Sequence, residues 1–120
     1  MGTKTARLDV LRGTLDVMIL KSLSWGQQHG YAVSRWIHDQ SDADVLVEEG
    51  ALYPALYRLE ARGLIVSTWG ASENNRRARF YRLTGAGRRA LRAEADGWRR
   101  YATAVGKILS ASDGPRRSRS

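Results

Sequence analysis

Cysteine is absent from this 120-residue chain, and histidine occurs only twice, at His29 and His38. Without thiols the chain can form neither a disulfide framework nor a thiolate metal site, and two histidines are too few for an ordinary zinc site. Gly-rich phosphate loops and recognisable pairs of a nucleophile with a base are also missing. The sequence therefore predicts a binding protein rather than an enzyme, with no metal and no cofactor.

Long apolar runs are missing as well. Near the N-terminus, charges at Arg7, Asp9, Arg12 and Asp16 interrupt every stretch that would have the length of a signal peptide or a membrane span. We therefore expect a cytoplasmic protein without a membrane partner. The length suits a single core, and self-association would add to the modest stability of a domain this small.

The formal net charge of +8 is unevenly distributed along the chain. Residues 40–50 carry four acids and no cation, whereas residues 76–100 carry nine arginines against Glu94 and Asp96. Such a basic stripe is the pattern expected of a surface that binds phosphates, although a solvated helix face gives the same pattern. Double-stranded DNA is the partner that this charge distribution favours.

Residues 48–63 predict an amphipathic helix around which the rest of the chain is organised. Leu52, Leu56 and Leu59 recur at helical spacing and share one face. Gly63 follows them as the expected C-cap.

The next stretch predicts a hairpin with a basic tip. Two strand-like runs, residues 64–69 and 78–83, flank a polar turn in which Asn74 and Asn75 tolerate positive φ at low cost. Three arginines leave this turn in quick succession: Arg76, Arg77 and Arg79. A helix that leads into such a hairpin is the order of elements in a winged helix, where the helix enters the major groove and the wing lies on the backbone or in the minor groove.

A proline is tolerated in the first turn of a helix, so Pro54 predicts that this helix starts near Ala51. Its cap would be Glu49 or Gly50, and acids there suit the positive end of the helix dipole. Small and flat residues allow close approach to bases, and apolar ones meet a thymine methyl. The side chains expected to face the groove are Ala51, Tyr53, Pro54, Tyr57 and Arg58. For Tyr57, packing in the core is the alternative.

Earlier in the chain, the apolar spacing predicts two helices and one short strand. A loose leader over residues 1–7 precedes the first helix, which covers residues 8–24, and the second helix covers residues 31–40. Val45-Leu46-Val47 is short, partly β-branched and bounded by acids, so we expect it to form a strand that pairs with the hairpin.

Two residues at the start of the second helix invite a functional interpretation. Tyr31 lies where a helix N-terminus commonly meets a phosphate, to which its hydroxyl can donate. His29 precedes a glycine at the helix start, a position more typical of a capping or packing residue than of a ligand.

Residues 85–110, after Thr84 as the expected N-cap, predict a last helix with a wide apolar stripe. No later element in this sequence would cover that stripe, and such a helix usually packs against its copy in a dimer or against the first helix of the partner. The predicted interface comprises Leu8, Leu11, Leu15, Leu91, Trp98, Tyr101, Val105 and Ile108. Residues 111–120, with Gly114-Pro115 and three arginines, predict a disordered basic tail.

Taken together, these features resemble the PadR family of bacterial transcriptional regulators, in its short form with one C-terminal helix. The resemblance extends over residues 8–109, and the run from Ser72 to Thr84 is most similar to a subgroup common in acidobacteria and actinobacteria. The motifs that carry it are Gly13-Thr14-Leu15-Asp16, His29-Gly30-Tyr31, Glu48-Glu49-Gly50-Ala51-Leu52-Tyr53-Pro54-Ala55-Leu56, Trp69-Gly70, Ser72-Glu73-Asn74-Asn75-Arg76-Arg77-Ala78 and Phe80-Tyr81-Arg82-Leu83-Thr84.

The resemblance implies a mostly α-helical fold with a small β-sheet: a winged helix-turn-helix over residues 8–84 and a dimerisation helix over residues 85–110. It further implies a homodimeric repressor that binds a palindromic operator and releases it when a small molecule binds. The family's DNA contacts fall here on Tyr31, Ala51, Leu52, Tyr53, Pro54, Tyr57, Arg58, Asn75, Arg76, Arg77 and Arg79. Ala51 stands where the family frequently has a serine, so one hydroxyl contact is missing.

In some short members of the family, an aromatic residue of the last helix pairs with its dimer mate and sandwiches a flat apolar drug. The matching residue here is Trp98, and Asp16 and Val17 of the first helix would line the same pocket. The resemblance thus implies a small aromatic or hydrophobic effector. The alternative for Trp98 is a large side chain that is simply buried on a dimer seam.

Two other functions compete with a DNA-binding regulator. A winged-helix adaptor would use the same surface for a protein partner, without specific DNA binding, but it would not need the arginines at positions 76, 77 and 79. An RNA-binding protein would need an exposed aromatic sheet on which single-stranded bases stack, and the sequence does not predict one.

Overall fold

Four helices and a three-stranded sheet make up the part of the chain that the structure describes. The computed structural model describes the backbone from Thr3 to Arg116 and the side chains from Gly13 to Arg116. In chain order the elements are α1 (Thr3–Ser22), β1 (Gln28–His29), α2 (Gly30–Gln40), α3 (Glu49–Ala61), β2 (Ile65–Ala71), β3 (Arg77–Leu83) and α4 (Gly85–Leu109). This is the order of a winged helix followed by one long C-terminal helix, so the predicted fold class is confirmed.

One buried cluster joins the first three helices to the sheet. Its largest members are Ile19, Leu20, Leu23, Val33, Leu52, Leu56, Leu59 and Ile65. The apolar residues of α3 recur every three or four positions, so one side of α3 is buried and the other faces solvent. The first turns of α4 complete the cluster through Ala86, Ala90 and Leu91.

The antiparallel sheet has the order β1-β3-β2, and β2 and β3 form the wing. Trp69 lies opposite Arg79 in the wing, and Ala71 lies opposite Arg77. The connecting turn is closed by the Ser72 amide, which donates to the Arg76 carbonyl across 2.8 Å. Asn75 has a φ of 58° there, so the turn predicted from asparagine is confirmed.

The strand predicted over residues 45–47 does not form, and β1 takes its place beside β3. Gln28 and His29 of β1, which we expected in a turn, pair with Tyr81 and Phe80. Val45 and Val47 instead lie in a loop and pack on the core. Their burial therefore does not depend on hydrogen bonds to a neighbouring strand. The Ser41 hydroxyl accepts the Val45 amide at 2.9 Å, which satisfies the backbone without a neighbouring strand.

Helix α3 begins two residues earlier than Pro54 predicted. Glu48 is its N-cap, so Pro54 lies in the second turn rather than the first. Proline there leaves the carbonyl four residues earlier without its usual amide partner. That carbonyl belongs to Gly50, which is exposed, so water can satisfy it.

The other helix ends agree with those predicted from the sequence, except for the start of α1. Gly63 follows α3 with a φ of 74°, the Thr84 hydroxyl accepts the Gly87 amide at 3.0 Å, and His29 Nδ1 accepts the Ala32 amide at 3.1 Å. His29 is thus a capping residue, as its position indicated. Helix α1 starts at Thr3, so most of the predicted leader is helical, and Met1 and Gly2 lie outside the described residues.

Beyond α4, residues 111–116 form no helix or strand, and the last four residues of the predicted tail lie outside the described range. Within that range, no helix is long and apolar enough to cross a bilayer. The same range holds no group of three or more acidic or histidine side chains arranged to bind a metal ion.

Candidate nucleic-acid interface

The outward side of α3 is nearly free of charge. Its exposed side chains after Glu49 in the first turn are Ala51, Tyr53, Pro54, Tyr57 and Ala61. Tyr57 is 76 % exposed, against 45 % for Tyr53, so the alternative of core packing is excluded for Tyr57. The face therefore offers two phenolic hydroxyls and a set of small or flat apolar surfaces, the groups that meet base edges and thymine methyls.

Leu52 was expected from the resemblance to reach the groove, and this assignment is wrong. The side chain is only 1 % exposed and belongs to the buried cluster with Leu56 and Leu59. It lies on the opposite side of α3 from Tyr57, so it supports the helix from behind.

Tyr53 ties the exposed face of α3 to the start of α2. A Cβ built on Gly30 would come within 2.9 Å of the Tyr53 hydroxyl, so the Tyr53 side chain packs directly against the start of α2. Tyr31 lies directly after Gly30 and is 62 % exposed. Tyr31 therefore follows directly after the residue that Tyr53 contacts, and Tyr57 lies one helical turn beyond Tyr53 on α3.

Arg35 joins this surface, although the sequence reasoning did not identify it. Its Nη1 donates to the Tyr31 hydroxyl across 3.1 Å, and this hydrogen bond raises the pKa of the Arg35 guanidinium. The sequence contains a signal for this pair, because Tyr31 and Arg35 are four residues apart on α2 and such residues are neighbours on a helix surface. The pair places a cation beside the hydroxyl that was expected to meet a phosphate.

The three wing arginines have different surroundings. Arg76 is exposed at the turn, and the Arg77 guanidinium lies 4.5 Å from the centre of the Trp69 ring. Arg79 also lies over that ring, at 5.6 Å, but its Nε donates to the Ser67 hydroxyl at 2.9 Å. Two of the three are therefore presented outward, whereas Arg79 is partly used within the protein.

Trp69 is the second residue that the sequence reasoning missed as a site residue. It is 57 % exposed on β2 and is in cation–π contact with two guanidinium groups. Such contacts hold a long, flexible side chain in an extended position without neutralising its charge. The signal was the spacing in the hairpin, since one of these arginines lies directly opposite Trp69 and the other lies diagonally across.

Polar contacts hold α3 on the side that faces the wing. The Ser67 hydroxyl donates to Glu60 at 2.7 Å, and Glu60 lies 3.8 Å from Arg79. The wing and α3 are thereby connected as one surface.

A second group of charges, which we call the Asp16 cluster, holds the other side of α3. It comprises Asp16 of α1, Arg58 and Arg62 at the end of α3, and Glu94 of α4. Arg58 Nη2 lies 2.9 Å from Asp16 Oδ1, Arg62 Nη1 lies 3.9 Å from Asp16 Oδ2, and Arg62 Nη2 lies 3.4 Å from Glu94. Arg58, predicted to face the groove, is therefore paired with α1.

A groove of about 420 Å³ runs between α1 and α4. Its lining includes Thr14, Val17, Glu94, Trp98 and Tyr101, so two of the three residues expected at an effector pocket lie there. Asp16 was the third, and it does not line the groove, because its carboxylate faces the arginines of α3.

The predicted interface residues divide into two groups. Leu15 and Leu91 are partly buried against the core of their own chain, so they are less available to a partner than expected. Tyr101 and Ile108 are exposed, Trp98 is half-exposed and Val105 is intermediate, all on α4. The side chains of Leu8 and Leu11 lie outside the described residues.

Comparison with known proteins agrees with this arrangement. The model of the PadR-like family of transcriptional regulators matches residues 19–93. A transcriptional regulator of Mycobacterium tuberculosis is 38 % identical over 81 residues, which cover 67 % of this chain and 71 % of that protein.

Solved structures are similar over a larger share of the chain. A transcriptional regulator from Clostridium thermocellum superposes with a TM-score of 0.76 at 32 % identity, covering 85 % of this chain and 99 % of the other. A PadR family transcriptional regulator from Eggerthella lenta gives 0.72 at 31 % identity, covering 92 % and 94 %. The family match covers more than half of the chain and includes α2, α3 and the wing. The protein therefore belongs to the PadR-like family of transcriptional regulators.

Proposed function

We propose that this regulator is a homodimeric repressor that binds a palindromic DNA operator through α3 and the wing. The observation that carries the proposal is the pairing of an uncharged face with a basic one. The exposed tyrosines of α3 suit contacts to base edges, and the outward arginines of the wing suit contacts to phosphates. Tyr31 and Arg35 add a hydroxyl and a cation at the start of α2.

The choice of DNA over a protein partner rests on the wing. At a protein–protein interface, solvent-exposed rim charges mainly speed association and change its salt dependence. When such a cation binds a DNA phosphate, by contrast, a counterion is released from the DNA, and this release favours binding.

Dimerisation through α4 is supported by its exposed apolar side chains. Trp98, Tyr101 and Ile108 lie on the second half of the helix, beyond the part that packs on the core. A contiguous apolar patch on the surface of a single chain often marks an interaction site. A two-fold dimer would present two copies of α3 to half-sites separated by about one turn of DNA, or a multiple of it.

The groove between α1 and α4 is the proposed effector site. It adjoins the apolar part of α4 and is lined by two aromatic side chains, Trp98 and Tyr101, which suit a flat hydrophobic molecule. Binding there would alter how α4 packs on α1 and would release the operator, if the ligand favours a different arrangement of the two helices.

Footprinting on the DNA upstream of the protein's own gene tests the operator. We expect two protected half-sites related by two-fold symmetry, and we expect Tyr57→Ala to remove the protection while leaving the melting temperature unchanged. Protection that lacks symmetry, or that survives Tyr57→Ala, would contradict the proposal.

A further inference from the structure

The only cation within α3 does not extend from the exposed face of that helix. Arg58 donates to Asp16, and Asp16 is 7 % exposed. A charge-assisted hydrogen bond to a nearly buried carboxylate is screened less by water than one at the surface. The Arg58 guanidinium is therefore directed to α1.

We propose that Asp16 is a positioning residue that withholds Arg58 from DNA and so leaves recognition by α3 to its uncharged face. This inference rests on the DNA binding proposed above. It assigns to Asp16 an effect on sequence discrimination, although Asp16 itself touches no DNA.

Without this pairing, Arg58 would stand at the edge of the DNA-facing surface. Pro54, one turn earlier on the same side of α3, is exposed, and so is the adjacent Tyr57. The long arginine side chain, released from Asp16, would reach the phosphates that flank a helix lying in the major groove.

Such a contact would change the kind of binding, not only its strength. A phosphate contact adds the same affinity for every sequence and carries no sequence information. An arginine free on α3 would therefore strengthen binding to random DNA and reduce the preference for the operator.

The surrounding charges allow the two residues to be tested separately. Arg62 lies 3.9 Å from the second oxygen of Asp16, so a cation remains beside that carboxylate when Arg58 is replaced. Arg62 is also paired with Glu94 at 3.4 Å, which keeps it in place. Arg58→Gln should thus fold, and Asp16→Asn keeps the shape of the carboxylate while removing its charge.

The experiment measures binding of the full chain to a scrambled duplex between 50 and 200 mM salt. For Asp16→Asn we expect one additional phosphate contact, so the slope of log affinity against log salt steepens by about 0.9. The affinity ratio between the two salt concentrations then grows about 3.5-fold. The preference for the upstream duplex over the scrambled one should fall.

Arg58→Gln alone should leave the salt slope of the parent protein unchanged, because Arg58 contacts no phosphate in the native protein. The double variant Asp16→Asn/Arg58→Gln should return the slope to the parent value. Asp113→Asn removes the same charge from an exposed position in the C-terminal segment and serves as the matched control, with no change in slope expected.

Three results would overturn the inference: a flatter slope for Arg58→Gln, a folded Asp16→Asn with the parent slope, or a steepening that persists in the double variant. A merely structural role of Asp16 would lower the melting temperature without steepening the slope. If Asp16→Asn does not fold, the slope of Arg58→Gln decides alone: unchanged supports the inference, and flatter overturns it. A parent protein that binds neither duplex would instead contradict the proposed function.

Discussion

At position 52, helical spacing and family resemblance point in opposite directions. The spacing with Leu56 and Leu59 predicts a core residue, whereas the resemblance places Leu52 among the DNA contacts. The structure buries it, so the physical pattern was the better guide. A family motif marks a stretch that enters the groove, but the helical period decides which of its side chains point outward.

Replacing Leu52 tests this assignment directly. We expect Leu52→Ala to lower the free energy of unfolding by about 2–5 kcal/mol, because it leaves a cavity behind α3. Tyr57→Phe, on the exposed side of the same helix, should change it by less than about 0.5 kcal/mol. Urea denaturation followed by circular dichroism measures both, and equal effects of the two substitutions would contradict the assignment.

Residue identity alone could not predict how the cations are used. Nothing in the sequence distinguishes Arg58, Arg76 and Arg79 from one another, and we expected all three to contact DNA. Their roles depend on partners that are distant along the chain, since Asp16 precedes Arg58 by 42 positions. The effect of such long-range ion pairs is visible only once the fold has placed the carboxylates.

At the scale of the elements, the helices and the wing were largely predictable, and the third strand was not. Periodicity, the glycine after α3, the asparagine turn and the threonine cap are local signals, and each of them marked its element correctly. The pairing of β1 with β3 joins residues about fifty positions apart. Two-residue strands carry no periodicity, so the β-branched run at residues 45–47 gave a stronger but misleading signal.

The junction between α4 and the sheet depends on one glycine. A Cβ at Gly87 would meet the Leu64 carbonyl oxygen and would lie 3.1 Å from the Leu83 side chain. We expect Gly87→Ala to destabilise the protein by about 1–3 kcal/mol, because the backbone at Leu64 or at the start of α4 must shift to make room for the methyl group. In the same helix a Cβ at Gly106 meets nothing within 4 Å, so Gly106→Ala should be stabilising by up to about 1 kcal/mol. Thermal denaturation compares them, and a gain for Gly87→Ala would refute this packing.

Within the wing, the contacts of each arginine predict unequal contributions to DNA binding. Arg76→Ala and Arg77→Ala should each flatten the salt slope by about 0.9, on any sequence. Arg79→Ala should flatten it less, because Ser67 and Glu60 already engage that side chain. Arg99→Ala removes a guanidinium that is paired with Asp96 on α4 and should leave the slope unchanged. Equal salt slopes for Arg77→Ala and Arg79→Ala would contradict this prediction, because the contacts of Arg79 with Ser67 and Glu60 would then not reduce its contribution to DNA binding.

At the scale of the whole molecule, the apolar side of α4 predicts the assembly. Sedimentation should give twice the 13.4 kDa mass of a single chain. Ile108→Glu places a charge in the proposed interface and should shift the protein to monomers, with a larger loss of affinity for the operator than for random DNA. Thr103→Glu adds the same charge on the opposite side of the helix and should remain dimeric. A dimer that is unaffected by Ile108→Glu would place the interface elsewhere.

The central claim is that one folded surface combines sequence-specific and nonspecific contacts to DNA. The most direct test titrates the protein with its own upstream DNA and with a scrambled duplex at several salt concentrations. We expect a preference of about a thousandfold or more for the upstream duplex, together with a steep salt dependence of both complexes. Absence of binding to either duplex at low salt would contradict the claim and would favour a protein partner for the same surface.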